Sequence, residues 1–466
     1  MTDPDNAQTR IFGTDGIRGV ANTGPLEPQS LLRLACVLGD VLRERGTTAH
    51  RPMVLVGHDG RRSWSLIQGA LVAGFNAEGV DVQAVGLVPT PVLAFLTRRQ
   101  PCNLGIMISA SHNPMRDNGV KLFVHDGTKF PDDLEREVEK RLRERDLSHE
   151  RLTGDELGEF TEQPTLTLDY LEHLRNKAFK GLDLSGLKIV VDCANGGSSL
   201  LAPRVLSAFG AEVVSVNDGP SGTNINEACG ALHPESIGRL VVQEKADLGL
   251  TLDGDGDRAI LVDETGKVRS GDAILAIVAR DLVEKGKLHE STVVATIMSN
   301  IGLELFLERL GVTMLRTPVG DRFVAAELRE HGYSIGGEQS GHVIFGSDHD
   351  FNGDGLYTGL RVLEILAAKK KPLGELLSDF RLYPQTIKNF PVDAKPPLEE
   401  LPRVVAAVKK AEEELGGKGR VVLRYSGTES LARVMIEGLE QGQIEAMADE
   451  IGQEVVSAIA ARKTAG

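Results

Sequence analysis

Three times along this chain a short apolar run leads through a polar turn into a helical stretch, a glycine and a second apolar run. Residues 52–57 (PMVLVG) open the first unit, followed by a helical stretch over 66–75 and a strand over 80–85. Residues 187–192 (LKIVVD) open the second, with the turn CANGG, a helix through Val205 and a strand over 212–216. Residues 292–296 open the third, with a helix over 303–310 and a strand over 312–315. This order is that of right-handed β-α-β crossovers between parallel strands. Any α/β protein shows such a unit. Here the units lie roughly a hundred or more residues apart, about the size of a domain, and 466 residues exceed what one hydrophobic core supports. The pattern therefore predicts three similar α/β domains rather than one very large sheet. After Pro384 it changes to a helical run over 401–415, the turn GGKGR, strands over 421–425 and 432–437, and a final helix, which predicts a smaller α+β C-terminal domain.

Charge narrows the range of partners. A net charge of -15 and a pI near 5.3 leave no excess of basic residues to displace counterions from nucleic acid. A small anionic substrate stays compatible, because a local basic pocket works inside an acidic protein. Cys36, Cys102, Cys193 and Cys229 are far apart and form no CxxC pair, so reduced thiols are expected rather than a zinc site or disulfide framework. The N-terminal MTDPDNAQTR lacks the apolar run of a signal peptide, and no apolar run is long enough to span a membrane. These features predict a cytoplasmic protein with no membrane partner.

The densest chemistry lies in Asp253-Gly254-Asp255-Gly256-Asp257-Arg258 (DGDGDR), between the apolar runs LGLTL and AILVD. Aspartates alternating with glycines let a tight loop turn three carboxylates inward, where they repel one another unless a cation sits among them. Hard oxygen ligands of this kind suit Mg²⁺. The spacing also matches the start of an EF-hand, with Glu264 at the bidentate position. Arg258, however, stands where that loop needs glycine, and the residues after it read as a strand. A solvated acidic turn is the plainer alternative.

Ser109-Ala110-Ser111-His112-Asn113-Pro114 (SASHNP) offers two hydroxyls, and a serine is a poor nucleophile unless something activates it. In Arg424-Tyr425-Ser426-Gly427-Thr428-Glu429 a strand runs into a Ser-Gly-Thr turn suited to cradling phosphate, with Arg424 and Arg433 able to add forked donors. Gly336–His342 (GGEQSGH) sets polar side chains among glycines, as suits sugar hydroxyls. Phe12–Gly19 (FGTDGIRG) is a glycine-rich loop with one arginine. Each of these, taken singly, is also an ordinary polar turn.

Together and in order, FGTDGIRG, GIMISASHNPMRDNGVKLF, VVDCANGG, NINEACGALHPE, DGDGDR, VGDRF, GGEQSGH and RYSGTE resemble the α-D-phosphohexomutase family over essentially the whole chain. The resemblance is closest to bacterial members acting on glucosamine phosphate. It implies an α/β fold: three similar α/β domains with mixed sheets plus a smaller α+β C-terminal domain, and an active-site cleft between all four. The domains implied are 1–163 with the phosphoserine loop, 164–267 with the metal loop, 268–383 with the sugar-recognition loop, and 384–466 for binding phosphate. It also implies that Ser111 carries a phosphoryl group in the resting enzyme, primed by a sugar bisphosphate or a kinase. Asp253, Asp255 and Asp257, with Ser111, then hold Mg²⁺. Lys121 and Arg18 are implied beside the phosphoserine as electrostatic and acid–base helpers, with His342 as a further acid or base. Asn113 and His112 shape the phosphoserine loop. Glu338 and Ser340 are implied to grip the sugar, and Arg424, Ser426, Gly427, Thr428 and Arg433 to clamp the non-reacting phosphate. The expected activity interconverts hexosamine 6- and 1-phosphates through a bisphosphate, supplying precursors of UDP-N-acetylglucosamine and the cell wall, in a homodimer.

Two positions depart from the family pattern. Ser430 stands where proline is usual, and Pro318 where many relatives have lysine, so that Arg316 or Arg322 would have to supply any positive contact from that loop. Within the family, mannose and glucose phosphates are the rival substrates. From other classes, the rivals are a non-enzymatic metal- or sugar-phosphate-binding protein and a phosphatase with an aspartate nucleophile.

Overall fold

The computed structural model describes residues 10–13, 15–45, 51–144, 152–426 and 430–465. The chain divides into two compact units, Met1–Ile274 with Ser340–Leu376, and Leu275–Gln339 with Leu377–Gly466.

The first unit holds two mixed sheets. Strands β1 (Ile17–Val20), β2 (Met53–His58), β3 (Asp81–Leu87), β4 (Leu104–Ile108), β5 (Asp117–Val124) and β6 (Phe160–Glu162) form one in the order β1-β5-β4-β2-β3-β6. Strand β2 runs parallel to both β3 and β4, whereas β5 is antiparallel to β4 and to β1. Strands β7 (Lys188–Asp192), β8 (Glu212–Val216), β9 (Leu248–Leu252), β10 (Ala259–Asp263) and β11 (Val268–Arg269) form the other, in the order β11-β10-β9-β7-β8. Again the first strand, β7, is parallel to the next two, and β10 turns back antiparallel to β9. In the second unit, β12 (Thr292–Thr296) lies parallel between β13 (Thr313–Thr317) and β14 (Ile335–Gly337). The same motif, a central strand flanked by its two successors, thus occurs three times.

The three βαβ units expected from sequence are therefore present, with ends shifted by a few residues. Their apolar runs are buried on both faces, as parallel strands covered by helices require: every residue of β4, β9, β10 and β12 is buried. The first sheet is covered by the helices Pro28–Arg45, Trp64–Ala77 and Asp132–Glu144, whose Leu31, Leu34, Leu38, Leu71, Phe75 and Val138 share one apolar core with Val54, Val56 and Ile106. All four cysteines are buried.

The C-terminal part is a three-stranded antiparallel sheet of Gln385–Pro391, Leu431–Glu437 and Arg420–Tyr425, with Leu431–Glu437 in the middle. The helices Pro402–Leu415 and Gln441–Ala465 complete it, burying Leu415, Val434, Ile436, Ile444 and Ile451. The smaller α+β domain predicted after Pro384 is this one. Glu437 at the end of the central strand is fully buried. It accepts hydrogen bonds from Arg420, from Gln385 Nε2 at 2.9 Å and from the Ile301 amide at 3.2 Å. Arg420 also donates to the Ser299 carbonyl at 2.7 Å. This pair, Glu437 fully buried and Arg420 partly so, ties the C-terminal sheet to the start of the helix Ile301–Arg309. Among the described residues, no helix is long and apolar enough to cross a membrane.

Removing one member of a buried ion pair leaves the other charge uncompensated. Glu437→Ala is expected to lower stability by about 3 kcal/mol or more, measured as a shift in the urea midpoint of the transition that unfolds the C-terminal part.

Candidate active site

In every α/β repeat the third strand of the parallel trio ends in one of the stretches singled out from sequence. SASHNP joins β4 to β5, DGDGDR joins β9 to β10, and GGEQSGH leads from β14 to the short strand Val343–Phe345. The carboxyl ends of parallel strands are where α/β sheets bind ligands, because the loops there lie outside the ladder and are free to vary. The first two of these loops meet within the first unit.

Ser111 is buried and holds φ +50°, a left-handed conformation that costs energy in a residue with a Cβ. Its hydroxyl donates to Asp253 Oδ2 at 2.7 Å, and His112 Nδ1 lies 3.3 Å from the Ser111 Oγ. Ser109 takes a different role: its Oγ accepts the Ser111 amide at 2.8 Å and donates to Asp59 Oδ2 at 2.6 Å. The metal-loop backbone fits tightly beneath. A Cβ on Gly254 would stand 2.6 Å from the Ser111 carbonyl oxygen, and Gly256 has φ +71° with Ser198 Oγ where a side chain would begin. The glycines of DGDGDR are thus there for close approach and for turn geometry.

Asp253, Asp255 and Asp257 are all buried, and each offers an oxygen within 4.8 Å of the others. Asp255 Oδ1 and Asp257 Oδ1 are buried with no hydrogen-bond partner among the described residues. Oxygens left in this way beside a serine hydroxyl are what an oxygen-preferring divalent cation needs. The residues present therefore fit a metal, and the EF-hand alternative does not arise, because Arg258 leads directly into β10.

Opposing this charge is Lys121 on β5, whose Nζ lies 2.7 Å from Asp255 Oδ2, 2.9 Å from Asp15 Oδ2 and 3.5 Å from Asp257 Oδ2. Burial alone would lower the lysine's pKa, but Asp15, Asp255 and Asp257 hold it well above its ordinary value, so it is fully charged. The same contacts act in reverse on Asp255. Burial pushes its carboxyl up, and Lys121 with the Thr90 hydroxyl pulls it below the usual range. On Asp253, burial together with Asp257 and Asp255 outweighs the pull of Arg258 and raises it well above the usual carboxylate range. Arg18 and Lys129 both pair with Asp15, the latter at 2.8 Å. Burial also lowers the His112 imidazole to about 4, so it is neutral at physiological pH.

His342, also in the first unit, is buried with Nδ1 3.8 Å from Asp257 Oδ1. Gly353 packs so closely on its ring that a Cβ there would meet Nε2 at 1.9 Å. Ser340 is exposed. Glu338 belongs to the second unit, where its Oε1 accepts the Gly320 amide at 3.2 Å, so the candidate sugar loop is tied to the loop carrying Pro318. Arg316 is committed to the Thr296 and Ser299 carbonyls and to Glu304, whereas Arg322 is exposed and lies over the Phe323 ring.

In the C-terminal sheet Arg424 and Arg433 are directly opposite across the antiparallel pair, hence on one face. Like charges so placed repel one another, and the sequence leads to the expectation of an anion there. Ser426 is buried, and Lys395 Nζ donates to its carbonyl at 2.6 Å. Gly427 and Thr428 lie outside the described residues. Sequence reasoning missed Asp15, Thr90, Lys129 and Lys395. Asp15 sits inside FGTDGIRG and was passed over for the arginine; nothing in the sequence marks the other three as partners of these loops.

Four matches to known protein domains account for this arrangement. The chain matches the phosphoglucomutase/phosphomannomutase alpha/beta/alpha domain I at residues 9–149, domain II at 168–266, domain III at 270–383 and the C-terminal domain at 387–453. The protein belongs to the phosphoglucomutase/phosphomannomutase family. Among relatives of this family, it is 45% identical to a phosphoglucosamine mutase of Anaeromyxobacter dehalogenans, covering 97% of this chain and 99% of that one. It is 43% identical to a phosphoglucosamine mutase of Syntrophotalea carbinolica, over 95% and 96% of the two chains. A solved family structure from Burkholderia thailandensis superposes with a TM-score of 0.78 at 26% identity, over 97% of this chain and 98% of that one.

Gly254→Ala forces the metal loop off the Ser111 carbonyl. It is expected to cut kcat about 100-fold, the cost of misplacing a reacting group by about 1 Å, while circular dichroism stays unchanged. Wild-type kcat in this variant would show that the two loops need not meet so closely.

Proposed function

We propose that the protein interconverts glucosamine 6-phosphate and glucosamine 1-phosphate through a phosphorylated Ser111 and a sugar bisphosphate. The observation that carries this reading is the Ser111 hydroxyl set on Asp253 beside oxygens of Asp255 and Asp257 that accept no hydrogen bond among the described residues. The glucosamine specificity is supported by the relatives at 43–45% identity over nearly the full length of both chains, which are phosphoglucosamine mutases.

In this reading phosphoserine-111 is the donor. The bond from its Oγ to phosphorus breaks, and the free hydroxyl of the sugar monophosphate forms the new one, giving up its proton. The bisphosphate turns end for end. Ser111 Oγ then takes the other phosphoryl group, leaving the isomeric monophosphate. Phosphoryl transfer asks the protein mainly for alignment and charge neutralisation. Lys121, kept charged by its three carboxylates, supplies a fixed cation beside Ser111. Asp253 Oδ2 receives the hydrogen bond of the unphosphorylated serine and holds its Oγ in line for the return step. Mg²⁺, held by Asp253, Asp255, Asp257 and the phosphoserine, would neutralise charge on the transferring group. His342 is the candidate acid or base on the sugar side, with Arg18 near the phosphoserine.

Glu338 and Ser340 are assigned to the sugar hydroxyls. Arg424, Ser426, Gly427, Thr428 and Arg433 are assigned to the phosphate that is not reacting. The opposed arginines suit this task, because forked donors on one sheet face accept either end of a bisphosphate equally well. The reading includes domains running over 1–163, 164–267, 268–383 and 384–466 and a cleft that all four share.

Intact mass of the purified protein tests the central step. A fraction of the wild type is expected to carry one phosphoryl group, rising after incubation with glucosamine 1,6-bisphosphate, and Ser111→Ala is expected to carry none. A wild type that never gains the group sinks the mutase mechanism in favour of a binding protein or an aspartate-based phosphatase. Asp255→Asn removes one charge from the carboxylate cluster and weakens the hold on Lys121. It is expected to lower kcat by about 100-fold or more, with Mg²⁺ affinity lowered in calorimetry and the fold retained by circular dichroism. Turnover on glucosamine, glucose and mannose phosphates checks the substrate, and a preference for either of the latter two overturns the glucosamine assignment.

A further inference from the structure

Arg61 is among the largest fully buried side chains of the protein. Its guanidinium uses all five N–H groups on one loop and one carboxylate. Nη2 donates to the carbonyls of Ser111 at 2.7 Å and Asn113 at 2.9 Å. Nη1 donates to those of Pro114 at 2.6 Å and Asp117 at 3.1 Å. Nε donates to Asp59 Oδ2 at 2.8 Å. That carboxylate oxygen also accepts the Ser109 hydroxyl, and Ser109 Oγ in turn accepts the Ser111 amide. Both peptide groups that flank Ser111 are therefore fastened to the same ion pair, the carbonyl directly by Arg61 and the amide through Asp59 and Ser109.

We propose that Arg61, with Asp59 and Ser109, is the positioning residue of the Ser111 loop, holding the serine in its strained left-handed conformation with Oγ aimed at Asp253. The proposal rests on the mutase reading for its kinetic consequence only. A residue at φ +50° stays there when its surroundings over-determine it, and here the determinants are countable. Without the clasp, Ser111 would relax toward negative φ and swing Oγ away from the oxygen it now meets at 2.7 Å. Asn226 Nδ2 adds a second donor to the Ser111 carbonyl at 2.9 Å, so that oxygen is saturated from two sides. Lysine cannot substitute: its three donors radiate from a single atom, whereas four carbonyls arranged around a plane need the forked geometry of a guanidinium. The burial of Arg61 also keeps the clasp out of competition with water, which strengthens each of its hydrogen bonds.

The test compares Arg61→Lys and Ser109→Ala with the wild type in the full-length protein. Amide hydrogen exchange over 109–118 reads the loop without reference to catalysis, and steady-state kinetics reads its consequence. The Arg61→Lys loop is expected to exchange at least about tenfold faster, with 104–108 unchanged. Its kcat is expected to fall about 100-fold while KM changes less than about threefold. Ser109→Ala deletes one oxygen and breaks only the amide-side tether, so a smaller loss of kcat, about tenfold, and faster exchange of the loop are expected. Trp64, the sole tryptophan, stacks on His58 with ring centroids 4.0 Å apart, so its fluorescence reports whether the segment next to Arg61 keeps its native packing. Either variant, folded, with wild-type loop exchange overturns the proposal, and so does faster exchange with kcat unchanged. If Arg61→Lys does not fold, Ser109→Ala decides by the same two readouts. If the wild type proves to have no mutase turnover, the function fails and loop exchange alone decides the positioning role.

Discussion

Lys121 is the charge on which the site depends. Three aspartates of one loop and Asp15 of another bring carboxylate oxygens close together in a buried space. Two like charges about 4 Å apart repel by about 4 kcal/mol at the effective dielectric of about 20 that suits proteins. A single ammonium touching Asp15, Asp255 and Asp257 offsets much of that repulsion and joins the first sheet to the metal loop. Its location follows from the sheet. Lys121 lies on β5 opposite Met107 of β4, the strand that ends in the Ser111 loop, so the pairing that builds the strand also places the cation beside the serine. The neutralisation is uneven, and the unevenness has a use. Asp255 is held ionised by its contact with Lys121, whereas Asp253, farther from the lysine, is raised by burial and by its two neighbours and takes the serine hydroxyl.

What Lys121 does for charge, backbone geometry does for position. The Ser111 loop and the Asp253 loop approach so closely that only glycine fits at 254, and the Gly254 carbonyl accepts the Gly197 amide at 2.8 Å. The Asp255 carbonyl accepts the Thr90 amide at 2.8 Å, and the Gly256 carbonyl accepts the Gly355 amide at 3.0 Å. Four segments remote in sequence thus hold the metal loop by its backbone, leaving its carboxylates free to face inward. A loop fixed in this way has little reorganisation left to undergo when charge shifts within it, which is the condition for electrostatic catalysis.

Much of this was legible in the sequence because it is local. The strand, turn, helix, glycine order is written within some thirty residues, and DGDGDR announces its carboxylates through their spacing. The mixed character of the sheets was harder to read, since β4 and β5 are both apolar runs and their antiparallel pairing is set by the return of the chain after SASHNP. Partners that act through tertiary contact left no trace. Thr90 looks like a helix-start residue, and it is one, yet its hydroxyl and amide both serve Asp255. Lys129 sits in an ordinary turn after β5 and reaches Asp15 only because the chain folds back there. Asp59-Gly60-Arg61 reads as a charged surface turn, whereas Arg61 is wholly buried, its charge met by Asp59 and by four carbonyls that no local pattern predicts.

The C-terminal sheet follows the opposite logic. The Ser111 site gathers its carboxylates around Lys121, which touches Asp15, Asp255 and Asp257. Arg424 and Arg433 instead bring two like charges opposite each other across two strands, a pairing that by itself costs stability. The scaffold bears that cost through Glu437, which neutralises Arg420 at the far end of the same strands and is fastened to the Ile301 amide. One end of the ladder is thus anchored by a satisfied ion pair while the other sets two cationic side chains on one face. In the proposed reaction, two cationic side chains on one face would serve a bisphosphate held by either end better than a pocket shaped to one end. Charge attracts both phosphates alike, and a pocket fitted to one face of the sugar would resist the turn that the reaction requires.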